Sequence, residues 1–192
     1  ESQVPESRPH LAAYLREELQ PAFERIGFKV EILDNPVASA GPMLLAERIE
    51  DPSLPTVLSY GHGDVIRGLA EQWRSGLAPW DLKQEGERYY GRGAADNKGQ
   101  HSINMAALAT VIEERGRLGF NAKFLIETGE ETGSPGLARF CTEQKARLNA
   151  DVLIASDGPR LSARRATMAA SCISAGSPRS PRPSSSCSPS RR

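Results

Sequence analysis

Apolar runs of strand length alternate along this chain with stretches of helical period, a pattern that points to an α/β fold. The expected architecture is a mostly parallel central sheet with helices on both faces. The first helical stretch runs from Pro9 to about Ile26, where Leu11, Tyr14, Leu15, Leu19, Phe23 and Ile26 recur at three- and four-residue spacing. Pro21 is expected to bend or break it. Strands are predicted over Lys29 to Leu33, Met43 to Glu47, Thr56 to Tyr60, Arg88 to Gly91, Ala122 to Glu127 and Val152 to Ala155. Further helices are predicted from about Lys98 to Arg115 and from about Ser134 to Arg147. A long connection carrying Trp73 and Trp80 follows Asp64, and such a loop inside a compact domain is usually functional.

Charge divides the chain unequally. The 192 residues carry 24 basic and 24 acidic side chains, but residues 161–192 hold six Arg, no Lys and no acid. Residues 1–160 are therefore net acidic, which argues against a nucleic-acid partner and suits a protein that gathers carboxylates around cations. The last 32 residues also hold ten Ser, four Pro and no aromatic residue, a composition that cannot build a core. Residues 1–160 are thus expected to form the domain and residues 161–192 a disordered or aberrant tail. That tail resembles GC-rich DNA read out of frame, with a natural disordered arm as the competing reading. No apolar run approaches the roughly 18 residues that cross a bilayer. Cys141, Cys172 and Cys187 lack zinc-ribbon spacing and, being three, do not form a disulfide framework. A cytoplasmic protein with Cys141 as a packing residue is the expectation.

Three predicted strands run at their carboxyl ends into side chains that can hold a metal. Thr56 to Tyr60 leads to His62 and Asp64, Ala122 to Glu127 leads to Glu130 and Glu131, and Val152 to Ala155 leads to Asp157. In open α/β sheets, ligands bind in the crevice beyond those strand ends. Asp96 sits in a similar turn, within Gly91-Arg92-Gly93-Ala94-Ala95-Asp96-Asn97-Lys98-Gly99. One imidazole among carboxylates suits zinc, with manganese or cobalt as replacements. The spacing His62-Gly63-Asp64 lets Asp64 take the second ring nitrogen of a metal-binding His62. Adjacent Glu130 and Glu131 point apart, so one can ligate while the other acts as a base. Each motif alone also has a plain structural reading: a turn histidine, first-turn acids, a helix N-cap at Asp96 and a turn at Asp157. Neither a dinucleotide fingerprint nor a phosphate loop is complete here.

Their order is more specific than any one of them. Tyr60-Gly61-His62-Gly63-Asp64-Val65, then Tyr90 through Gly99, then Glu127 through Gly136, then Ser156-Asp157-Gly158 resembles the zinc exopeptidase family of carboxypeptidase G, aminoacylase and succinyl-diaminopimelate desuccinylase, and especially its carnosinase-like dipeptidases. The resemblance spans roughly residues 8–160. It implies two divalent ions, the first held by His62, Asp96 and Asp157 and the second by Asp96 and Glu131. It further implies Glu130 as general base, Asp64 as the group orienting His62, and a cis peptide bond between Asp96 and Asn97. The implied reaction is hydrolysis of a terminal amide in a small peptide or an N-acyl amino acid.

Family members continue into a lid domain that joins two subunits and then supply a last histidine ligand, and neither is recognisable in this sequence. His10 and His101 are expected to be surface or packing residues. Two expectations therefore stand side by side: a metal-dependent peptidase, and a non-catalytic fragment that holds at most one ion. A two-metal phosphoesterase would use the same ligand types.

Overall fold

The computed structural model describes residues 1–157, and the expectations for residues 161–192 lie outside them. Five strands form one sheet in the order β1-β2-β6-β3-β7. They are β1 (Lys29–Leu33), β2 (Met43–Arg48), β3 (Thr56–His62), β6 (Asn121–Glu127) and β7 (Val152–Ala155). β3 runs parallel to both β6 and β7, whereas β2 is antiparallel to its neighbours β1 and β6. The sheet is thus mixed, with a parallel heart where the strand ends carry the candidate site.

Alternation along the central strands sends side chains to two separate cores. Leu44 and Ala46 of β2 and Ala122, Phe124 and Ile126 of β6 face one side. There they meet Leu15, Leu19 and Phe23 of the N-terminal helix and Met105 of α3 (Lys98–Arg115). Met43, Leu45 and Leu125 face the other side and pack on Phe140 of α4 (Leu137–Glu143), with Leu137 and Cys141 beside them. Helices therefore cover both faces, as the alternation of periods predicts. Cys141 is a free thiol at the edge of this second core.

Three differences from the sequence reading have local causes. Pro21 does not break the N-terminal helix, which continues from α1 (Arg8–Ala13) to α2 (Gln20–Arg25). Instead the intervening Tyr14–Leu19 winds as a π-helix, a wider coil that relieves the crowding and lost hydrogen bond that proline imposes on the preceding turn. The helix expected from Ser134 starts only at Leu137, because Ser134 and Gly136 have φ of 53° and 85°. It is interrupted at Gln144 before α5 (Lys145–Leu148). The long connection contains a hairpin of β4 (Lys83–Glu85) and β5 (Arg88–Tyr90), whose first strand is too short and too charged to show an apolar period.

Phe124 anchors the first core. Its ring lies 4.9 Å from that of Phe23 and 5.9 Å from that of Phe28, and it is almost fully buried. Truncating such a ring leaves a cavity that a strand held on both sides cannot close, so Phe124→Ala should cost about 3–5 kcal/mol. Denaturant unfolding checks this; a loss below about 1 kcal/mol would show that the core collapses around the gap.

Candidate metal centre

The parallel register of β3 and β6 aligns His62 with Glu127, and that of β3 and β7 ends with Tyr60 opposite Ala155. The residues that follow each strand therefore emerge together. His62 is fully buried at the end of β3, and its two ring nitrogens meet different partners. Nδ1 lies 3.2 Å from Oδ1 of Asp64 and 3.1 Å from the Asp64 carbonyl, acceptors that assign it the proton. Nε2 lies 2.9 Å from Asp96, 3.7 Å from Asp157 and 3.8 Å from Glu130.

Two groups of potential ligand atoms result, His62 with Glu130 and Asp157, and His62 with Asp96 and Glu131, each within 4.8 Å of one another. His62, Asp96, Glu130, Glu131 and Asp157 thus lie together, with His62 common to both groups. Asp96, whose side chain is 62% exposed, and Glu130, at 37%, form the open side. One nitrogen and several carboxylate oxygens at these separations fit the donor set of a divalent cation.

Asp64 has a wider part than the sequence suggests. Fully buried, it also accepts the backbone N–H of Glu130 at 3.2 Å and that of Glu131 at 3.1 Å. The same carboxylate thus orients the His62 ring and seats the 3₁₀ turn Glu130–Thr132, which presents the two glutamates. Glu127 adds a second tie: its Oε1 receives the hydroxyls of Tyr60 at 2.5 Å and Ser134 at 2.8 Å, linking β3 to the far end of that loop. Neither role has a sequence signal, since Asp64 reads as a turn former and Glu127 as a strand residue.

The peptide bond between Asp96 and Asn97 is cis, as the resemblance implies. Gly99 is required in this turn, because a Cβ there would lie 2.0 Å from the carbonyl oxygen of Ala94. Lys98 reaches back over the ring of Tyr14, 4.5 Å from its centroid, and donates to the Gly63 carbonyl. Burial lowers Lys98 to about 8.

Electrostatics follow from packing acids around one imidazole. Burial disfavours the imidazolium, but the hydrogen bond to Asp64 and the charges of Asp64, Asp157 and Asp96 outweigh it and raise His62 of the protein alone to about 9. At neutral pH Nε2 then holds a proton directed at Asp96, the place a cation would take. Burial and the neighbouring carboxylates also raise Glu130 and Glu131.

His10 is exposed, but His101 is a buried hydrogen-bonding residue and more than a packing one. Its ring lies between Tyr14 and Asn97, two residues the motif reading leaves without roles. No helix among the described residues is long and apolar enough to cross a membrane.

Comparison with known proteins agrees with this geometry. A sequence model of peptidase family M20/M25/M40 matches residues 58–173. The chain is 36% identical over 127 residues to the Beta-Ala-His dipeptidase of Mus musculus, covering 65% of this chain and 25% of that protein. It is 34% identical over 106 residues to the Cysteinylglycine-S-conjugate dipeptidase of Corynebacterium striatum, covering 54% of this chain and 23% of that one. Human carnosine dipeptidase 1 superposes with a TM-score of 0.71 at 31% identity, over 81% of this chain and 34% of its own. The M20 family metallo-carboxypeptidase Sso-CP2 of Sulfolobus solfataricus gives 0.67 at 29% identity, over 76% of this chain and 32% of its own. The chain thus spans about a quarter of the length of these curated relatives. Because the matched region exceeds half of the chain and contains every one of the converging side chains, the chain belongs to peptidase family M20/M25/M40.

Proposed function

We propose that residues 1–160 are part of a metallopeptidase catalytic domain that hydrolyses a terminal amide bond in a small peptide, dipeptides first, or in an N-acyl amino acid. The observation that carries this reading is the convergence of Asp96, Glu130 and Asp157 on a single buried imidazole nitrogen. The relatives named as dipeptidases support the substrate class. Two divalent ions, zinc first and manganese or cobalt as replacements, would be held by His62, Asp96 and Asp157 and by Asp96 and Glu131. Bound there, they would polarise the scissile carbonyl and acidify an attacking water.

The chain's own groups would do the rest. Asp64 accepts the Nδ1 proton and so makes Nε2 the nitrogen that a cation would take in exchange for its proton. Glu130, on the open side and with its proton affinity raised, would take a proton from water and hand it to the departing nitrogen, leaving a carboxylic acid and an amine. The cysteine usage suits a reducing compartment, and we place the protein in the cytoplasm.

Metal analysis of the full chain with a dipeptide panel tests the proposal; uptake of at most one ion with no hydrolysis would favour the non-catalytic fragment. Glu130→Gln should keep its metal and lose turnover about 10²–10⁴-fold, and near-normal hydrolysis would remove Glu130 from its role. Asp96→Ala should lose both ions, so two retained equivalents would contradict the bridge. Because His62 is protonated up to about 9, zinc must displace its proton. Apparent affinity should therefore fall about tenfold per pH unit as pH drops from 8.5 to 6.5, by chelator competition; a flat profile would show that no proton leaves.

A further inference from the structure

Behind the candidate centre lies a chain of polar groups, buried at Asn97 and His101 and half-buried at Tyr14, that the proposed chemistry does not use. Asn97 is fully buried, and its amide is shared among three elements. Its Oδ1 accepts the backbone N–H of His62 at 3.2 Å, at the end of β3, while its Nδ2 donates to the Ser156 carbonyl at 2.7 Å, just past β7. The third partner is Nδ1 of His101 on α3, 3.1 Å from the same Oδ1. His101 Nε2 in turn lies 2.7 Å from the hydroxyl of Tyr14 on the N-terminal helix.

The direction of every bond in this chain is determined. A backbone N–H can only donate and a backbone carbonyl can only accept, so His62 and Ser156 settle which way the Asn97 amide faces. Oδ1 then requires a proton on His101 Nδ1. Burial, with the charges of Lys98 and His62, lowers His101 to about 3, so the ring is neutral and its Nε2 accepts. Burial and the charge of Glu18 raise Tyr14, which leaves the phenol protonated as the donor.

The backbone is shaped to admit this chain. A Cβ on Gly61 would lie 2.7 Å from Asn97 Oδ1 and 3.3 Å from His101, so the glycine beside His62 opens the space these side chains fill. Tyr14 lies outside the residues that the family model matches.

We propose that Tyr14, His101 and Asn97 are positioning residues, a buried relay of fixed polarity through which the N-terminal helix sets the spacing between His62 and Asp157. This rests on the metal-centre reading for its consequence but not for its existence. A displaced Asn97 would release the two strand ends together, and a site with separated ligands binds metal less tightly.

The test uses the full chain. In the metal-free protein, histidine ¹⁵N shifts should show His101 neutral with its proton on Nδ1, and the His62 amide should be protected from hydrogen exchange. His101→Leu should speed that exchange at least about tenfold and weaken zinc binding about 10–100-fold. His101→Asn, which can return a donor to the Nδ1 position, should recover most of both. Tyr14→Phe, a single-atom change that covers the case of a misfolded leucine variant, should leave the His101 proton on Nδ1, where Asn97 still accepts it, but speed His62 amide exchange and weaken zinc binding severalfold.

A His101 proton on Nε2 in the parent protein would overturn the relay. So would a folded His101→Leu chain with unchanged exchange and zinc affinity, an asparagine variant as impaired as the leucine one, or a Tyr14→Phe chain unchanged in both readouts. A parent chain that takes up no zinc would sink the metal-centre reading instead, while the shifts and amide exchange would still decide the polarity of the relay.

Discussion

The candidate site depends on one carboxylate buried with no exposure, that of Asp64. A buried charge is tolerated only when its acceptor capacity is filled, and Asp64 fills it with the His62 ring and the backbone N–H groups of Glu130 and Glu131. Those three donors come from the end of β3 and from the loop after β6. The cost of burying the anion is thereby offset by tying together the two segments that carry the imidazole and both glutamates. Removing any donor would leave a buried charge short of a partner, so the imidazole and the glutamate turn are expected to be disturbed together.

Around this anion the polar groups are arranged in two tiers. Asp96, Glu130, Glu131 and Asp157 are at least partly open to solvent, where a cation and substrate can reach them. Beneath them His62, Asn97, His101, Glu127 and Thr128 are closed off. Thr128, for instance, donates to the Pro42 carbonyl at 2.7 Å and so ties the start of the glutamate loop to the residue just before β2. Polar groups in such a low-dielectric setting are costly when unpaired and strongly orienting when paired. In the proposed reading the exposed tier would supply the chemistry and the buried tier its geometry.

Much of the outer tier was legible in the sequence because its residues follow strands directly. An apolar run ending in a histidine or acid states both where the strand stops and what it delivers, which is how Glu130, Glu131 and Asp157, with the buried His62 they surround, could be assembled without coordinates. Asp96 was reached through its glycine-dense turn. The helix Lys98–Arg115 and the strand Lys29–Leu33 match their expected limits, since neither has a conflicting proline or a left-handed residue within it. The late start at Leu137 escaped notice because backbone conformation at Ser134 and Gly136 overrode an otherwise continuous helical period.

Apart from His62, the inner tier was not legible, and the reason is distance along the chain. His101 meets a tyrosine 87 residues away, and Asn97 meets Ser156 across 59 residues. Nothing in local periodicity distinguishes a helix-borne histidine that packs from one that relays a hydrogen bond. By itself the sequence determined the alternation of elements and the chemical type of each strand-end side chain, because period and residue identity are local properties. Only the tertiary structure decided which nitrogen of His62 faces the acids, that Asp64 also seats the glutamate turn, and that the N-terminal helix reaches the site through Tyr14. Each of those depends on strand register and on the burial of polar groups brought together from remote positions.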